Sequence, residues 1–301
     1  MAMSARRLGF IGLGNIGGAV CTNLLSDGHE VTILDVDQER EGALEKVGGR
    51  PAKAAAEVAD AADITFLSLP TPKVMETVAA EWLPGGEGKI LVDLTTNAPA
   101  TVRAVGEHLT AAGASLVEAP LTGGAPGAAS RALVFIVGGD PETVEEVRPL
   151  LDTIGRATFY LGPLGCGNVG KLVNSLLAFS ATWASIEGLA LGARHDIDLR
   201  TLVNMVRTAG ASNFYMDRLV EGIETADRPT TFALELAAKD AGLMVELGRE
   251  TAVPLPLASA ILQALVLAGA QGLGGNDYAD WPRLMEQVAD LTFRLRPPDR
   301  D

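Results

Sequence analysis

The stretch Leu8-Gly9-Phe10-Ile11-Gly12-Leu13-Gly14-Asn15-Ile16-Gly17-Gly18 decides the fold. Leu8 to Leu13 reads as a short apolar strand, and Asn15 to Asp27 as a helix ended by Gly28. Gly12, Gly14 and Gly17 form Gly-x-Gly-x-x-Gly at the junction. The pattern alone is weak, but between a strand and a helix it has a mechanism. Gly12 permits the tight turn, Gly14 lets a pyrophosphate approach the backbone, and Gly17 lets the helix pack against the strand. The helix N-terminus offers free N–H groups and partial positive charge to phosphate. Gly12, Leu13, Gly14, Asn15, Ile16 and Gly17 are therefore the expected cradle for a dinucleotide.

Working outward, Val31–Asp35, Ile64–Leu69, Ile90–Leu94, Leu116–Ala119 and Leu133–Val137 read as further strands. Apolar strands separated by helical patterns indicate a parallel sheet covered on both faces. From about Cys166 the strand signals stop. Val169–Leu191, Leu199–Val206, Phe232–Glu250 and Leu257–Gly269 read as Ala- and Leu-rich helices, with a turn over Asp227-Arg228-Pro229-Thr230-Thr231. The expected class is α/β. A Rossmann-type parallel-sheet domain over 1–163 is followed by an all-α domain over 164–301 for substrate and oligomerisation.

Asp35 ends the second strand, where an acidic residue hydrogen-bonds the adenosine ribose. A 2′-phosphate would meet both Asp35 and Asp37, which predicts NAD as cofactor. Arg40 lies close enough in sequence to keep NADP possible. Leu69-Pro70 and Thr95-Thr96 follow the third and fourth strands, at the carboxyl edge where open sheets bind ligands. Thr95-Thr96 before Pro99 also suits a helix cap.

The chain has 301 residues, with 24 Lys and Arg against 38 Asp and Glu, a net charge of −14. Such a surface repels nucleic acid. Two cysteines, Cys21 and Cys166, make no disulfide framework and suit a reducing cytoplasm. Arg6-Arg7 superficially mimics a targeting signal, but the glycines after it fit the dinucleotide turn better. No run of about 18 apolar residues is apparent, so no membrane span is expected. The apolar helices suggest a homodimer or homotetramer.

Two segments carry candidate chemistry. Glu118-Ala119-Pro120-Leu121-Thr122-Gly123-Gly124 leaves a strand and ends in a hydroxyl and two glycines. Such a turn can form an anion-binding nest for a carboxylate, or be a plain loop. Gly162 to Asn174 runs from a loop into a helix, and Lys171 and Asn174 share one face of it. A Lys–Asn pair on an otherwise apolar helix suggests a site, although a lone helical lysine is usually solvated. Tyr160, Tyr215 and Tyr278 are followed four residues later by Leu164, Leu219 and Pro282, so no Tyr-x-x-x-Lys pair exists. His29, His108 and His195 are poorly placed as bases, and no metal site is expected from the spacings.

Together these residues resemble the short β-hydroxyacid dehydrogenases, which include 3-hydroxyisobutyrate dehydrogenase and tartronate semialdehyde reductase. The likeness runs from Gly9–Gly17 through Asp93-Leu94-Thr95-Thr96-Asn97-Ala98-Pro99, Glu118–Gly124, and Gly165-Cys166-Gly167 with Lys171 and Asn174, to Phe232 and Lys239-Asp240. The resemblance implies a 6-phosphogluconate dehydrogenase-like fold. It implies hydride transfer between NAD(H) and a small carboxylate-bearing hydroxy acid or semialdehyde. It makes Lys171 the general acid/base and assigns Thr122, Gly123, Gly124 and Asn174 to substrate. It assigns Leu69, Pro70, Thr96 and Lys239 to the cofactor; on residues alone Lys239-Asp240 would be a solvated pair. Where the family usually has Asp, Ser and Gly-Thr, this chain has Glu118, Thr122 and Arg131-Ala132. Imine reductases of the same architecture and non-catalytic cofactor-binding relatives are the alternatives; both tend to lack the lysine. An ordinary lysine titrates near about 10.4, so alcohol oxidation should favour alkaline pH.

Overall fold

The computed structural model describes residues 6–225 and 230–294. Its first compact unit extends through Leu172, and its second begins at Val173. The division falls inside one long helix rather than in the glycine-rich loop before it.

The first unit alternates strands and helices. It opens with β1 (Arg7–Ile11), α1 (Gly17–Ser26), β2 (Glu30–Leu34), α2 (Gln38–Glu45), β3 (Arg50–Pro51), α3 (Ala55–Ala61) and β4 (Ile64–Leu67). It continues with α4 (Pro72–Trp82), β5 (Ile90–Asp93), α5 (Pro99–Ala111), β6 (Ser115–Glu118), β7 (Leu121–Thr122) and α6 (Gly124–Ala129). Then come β8 (Leu133–Gly139), α7 (Pro141–Ile154), β9 (Gly155–Gly162) and the start of α8 (Cys166–Arg194). The strands form one nine-stranded sheet ordered β3-β2-β1-β4-β5-β6-β8, with β7 and β9 also on β8.

From β3 to β6 every pairing is parallel. Leu8, Phe10, Val31, Ile33, Ile64, Phe66, Leu91 and Val92 are buried, as strands covered on both faces require. The expected Rossmann-type parallel sheet is present, with an antiparallel addition at one edge. β8 runs antiparallel to both β6 and β7, because Pro120 and the Gly123 turn reverse the chain. Strand order reverses between β1 and β4, which opens the ligand-binding crevice beyond their carboxyl ends.

The second unit is helical: the remainder of α8, α9 (Leu199–Ala209), α10 (Phe214–Glu224), α11 (Leu234–Glu250), α12 (Pro256–Ala270) and α13 (Pro282–Ala289). Phe179 and Trp183 of α8 pack on Phe232, Tyr278 and Trp281, with ring centroids 5.0–6.5 Å apart. Asp277 accepts hydrogen bonds from Thr231 N, Thr231 Oγ1 and Phe232 N, which fixes the chain entering α11. Of the turn expected over Asp227–Thr231, Asp227, Arg228 and Pro229 lie outside the described residues. The expectation of no membrane-length apolar stretch is corrected: by length and composition α8 is long and apolar enough to span a bilayer. Its buried Phe179, Ile186 and Leu189 and its ring contacts are those of a core helix, which passes the same test.

Candidate functional site

β1 ends at Ile11, and Gly12 then turns the chain with φ +92°, its N–H donating to Leu34 O at 2.9 Å. A Cβ on Gly12 would collide with the Ser68 carbonyl and press on Leu69 Cδ2. One on Gly17 would collide with the Gly12 carbonyl. No side chain caps the N-terminus of α1. The turn therefore brings bare backbone and a helix N-terminus to the crevice, the arrangement that holds a pyrophosphate. Gly14 differs: a Cβ there would meet only the Arg40 Nη1 tip, at 3.4 Å.

Asp35 closes the turn. Its carboxylate accepts from Leu13 N at 2.5 Å and from Asp37 N at 2.8 Å. Arg40 is paired through Nε with Asp37 at 3.2 Å. Leu69, two residues beyond β4, donates its N–H to Thr95 Oγ1 at 3.1 Å. The structure thus gathers Gly12, Leu13, Gly17, Asp35 and Leu69 around one crevice. Pro70 and Thr96 sit on the same two loops, Pro70 exposed and Thr96 half-buried.

Two acids at the strand ends carry no separate role in the sequence reading. Asp93 and Glu118 are fully buried register partners on β5 and β6. Asp93 accepts from Thr95 N at 3.0 Å and from Asn97 Nδ2 at 2.6 Å. Glu118 accepts from Gly165 N at 2.5 Å, Gly167 N at 2.9 Å, Asn168 N at 3.2 Å and Asn168 Nδ2 at 2.5 Å. Asn97 N donates to Asn168 Oδ1 at 2.7 Å and joins the two acids into one network. The signal in the sequence is a carboxylate closing each of two otherwise apolar strands.

Burial pushes Asp93 up to about 7, against the hydrogen bonds from Thr95 and Asn97 and with a further rise from Glu118. Burial also raises Glu118, opposed by its four donors. An acid whose folded pKa exceeds its unfolded value binds extra protons when folded, so its contribution is largest in acid and is lost as pH rises through about 7. Asp93→Asn removes that titration. Buried Asn97 Oδ1 lacks a partner, and turning the Asn97 amide over would point it at the NH2 group introduced at position 93. Urea unfolding should show D93N gaining on the wild type by on the order of 2 kcal/mol between about pH 5 and pH 8. A gap that does not change with pH would count against this reading of Asp93.

Gly167 and Asn168 open α8, and Lys171 follows one turn later, half-buried, with Asn174 a further three residues along. Thr122 ends β7, half-buried, and Gly123 and Gly124 take φ of +121° and +61°. Lys239 belongs to the helical unit, where its Nζ lies 3.1 Å from Asp240, an acid only 3% exposed. The pair is thus not a solvated one. His29 Nδ1 accepts from Arg6 N at 3.2 Å, and burial lowers its pKa. His108 is exposed against Ala104 O.

Comparison with known proteins finds relatives over most of the chain. Residues 7–162 match the family described as the NAD binding domain of 6-phosphogluconate dehydrogenase. Residues 165–285 match the family described as NAD-binding of NADP-dependent 3-hydroxyisobutyrate dehydrogenase. The 2-(hydroxymethyl)glutarate dehydrogenase of Eubacterium barkeri is 30% identical over 293 residues, covering 95% of this chain and 97% of that one. A Mycobacterium tuberculosis 3-hydroxyisobutyrate dehydrogenase solved with L-serine shares the fold with TM-score 0.85 and 23% identity, over 94% of this chain and 99% of its own. An imine reductase from Myxococcus stipitatus superposes less closely, with TM-score 0.65 and 19% identity, over 94% of this chain and 100% of its own.

Proposed function

This chain belongs to the β-hydroxyacid dehydrogenase family, and on that premise we propose that it interconverts a small β-hydroxy acid and its semialdehyde with NAD(H). One observation carries the reading. The glycine crevice and the helix bearing Lys171 are built onto one sheet, with the first turn of that helix tied to β6 by Glu118. A bound nicotinamide dinucleotide supplies or accepts the hydride. Lys171 handles the proton: in its charged form it donates to the aldehyde oxygen, and in its neutral form it takes the hydroxyl proton. Thr122, the turn at Gly123–Gly124 and Asn174 supply donors for the substrate carboxylate and so orient the reacting carbon. The 340 nm absorbance of NADH against a panel of semialdehydes and cyclic imines tests this. Turnover of carboxylate-bearing semialdehydes supports it, and turnover of imines alone overturns it.

NAD is the preferred form. A 2′-phosphate at the ribose position would approach the carboxylates of Asp35 and Asp37, while Arg40 is already paired with Asp37. The ratio of kcat/KM for NADH over NADPH should be at least about tenfold, a difference of roughly 1.4 kcal/mol. Equal values for the two cofactors would defeat the assignment.

A further inference from the structure

Glu118 stands 47 to 50 residues before the groups it binds, yet its carboxylate takes N–H bonds from Gly165, Gly167 and Asn168. These are the residues around the first turn of α8, where helical N–H groups have no partner within the helix. The negative charge also opposes the positive end of the helix dipole. The helix start is therefore held by a side chain anchored in the sheet.

The backbone packing around this bond leaves no slack. A Cβ on Gly167 would lie 2.6 Å from Ile136 O and 2.9 Å from Gly138 N. One on Gly138 would collide with Glu118 Oε1 and lie 2.9 Å from Gly167 N. The first turn of α8 thus presses directly on β8, with the Glu118 carboxylate filling the remaining space.

The same network reaches the cofactor side. Leu69 N donates to Thr95 Oγ1, Thr95 N and Asn97 Nδ2 to Asp93, Asn97 N to Asn168 Oδ1, and Asn168 Nδ2 to Glu118. The loops carrying Leu69 and Thr96 are so linked, through buried polar groups, to the helix carrying Lys171. Buried hydrogen bonds of this kind are strong in low-dielectric surroundings and hold the linked segments together; Asn97 Oδ1 is the one buried oxygen of this network that accepts no bond.

We infer that Glu118 is a positioning residue for hydride transfer: its carboxylate sets the place of Lys171 relative to the loops that line the cofactor crevice. The inference rests on the reading of Lys171 as proton carrier. Displacement of a reacting group by about 1 Å can cost on the order of 100-fold in rate without touching ground-state binding.

Glu118→Gln keeps the volume but turns an NH2 group toward N–H donors. Its kcat should fall by at least about tenfold, while the Kd for NADH stays within about twofold. Glu118→Asp retains the charge on a shorter side chain and should recover part of the turnover lost in E118Q, giving a kcat between that of E118Q and the wild type. A helix cap serving stability alone would lower the melting temperature and leave kcat per folded molecule unchanged. An E118Q enzyme with wild-type kcat, or one in which kcat and NADH binding collapse together without rescue by E118D, would overturn the inference. Should E118Q not fold, Asn168→Ala removes the bridge between Asn97 and Glu118 and carries the test. There a kcat lowered about fivefold with unchanged NADH Kd supports the inference, and an unchanged kcat overturns it. Lys171→Ala measured in parallel separates the two ideas. Normal turnover in K171A removes the premise, whereas an inactive K171A beside a normal E118Q removes only the role of Glu118.

Discussion

Lys171→Ala is expected to lower turnover by at least about 100-fold while NADH binds as before. The expectation follows from inventory as much as from placement. Reduction of a semialdehyde needs a proton at the carbonyl oxygen, and few groups near the crevice can deliver one. Cys21 is buried, and burial pushes its thiol up to about 12. His29 is occupied by the Arg6 N–H, and His108 by the Ala104 carbonyl. Tyr160 donates to Gly139 O. Asp93 and Glu118 are enclosed by their own donors. Lys171 is half-buried, one turn into a helix whose start is tied to the sheet. A loss confined to kcat, with NADH affinity held in a fluorescence titration, would identify an interaction made only in the transition state. Near-normal turnover would exclude the residue as proton carrier. In the oxidation direction the wild-type rate should rise with pH, because only the neutral amine accepts a proton.

What the sequence discloses and what it withholds separate along one physical line. The β1–α1 turn is legible because its chemistry is local: three glycines within six positions, between an apolar run and a helix. The buried strands are legible because they are apolar throughout. β9 escapes a sequence reading since it sits at the sheet margin with exposed Phe159, Tyr160 and Leu161, and so lacks the burial pattern that marks a strand. α10 escapes it because the Asn213 cap that starts the helix reads equally well as a loop residue. The link from Glu118 to α8 spans some fifty positions, and no local pattern encodes it. Arg131 shows the same limit. It takes a positive φ of 57° where the resembled family usually has glycine. Its guanidinium bonds to Asp27, Thr153 O and Asn23 O, tying the end of α1 to α7. Those three bonds offset a backbone cost of about 1–2 kcal/mol.

The glycine motif itself divides into two kinds of residue, and substitution should separate them. Gly17→Ala places a methyl group on the Gly12 carbonyl oxygen, where both partners are backbone and neither can rotate away. α1 must then lift off β1, at a cost of at least about 3 kcal/mol. For a domain of this size the first unit's calorimetric transition should fall by roughly 10 °C, with or without cofactor. Gly14→Ala meets only the flexible Arg40 tip, and its melting temperature should stay within about 2 °C of the wild type. Its cost appears when a pyrophosphate approaches the backbone that the methyl now covers, and NADH affinity should weaken by at least about tenfold. A G14A protein with wild-type NADH affinity would remove that turn from the cofactor site. A G17A protein with an unshifted transition would mean that α1 is not held to β1 by the close approach seen at Gly12. The pair of results distinguishes a glycine required by the fold from one required by the ligand.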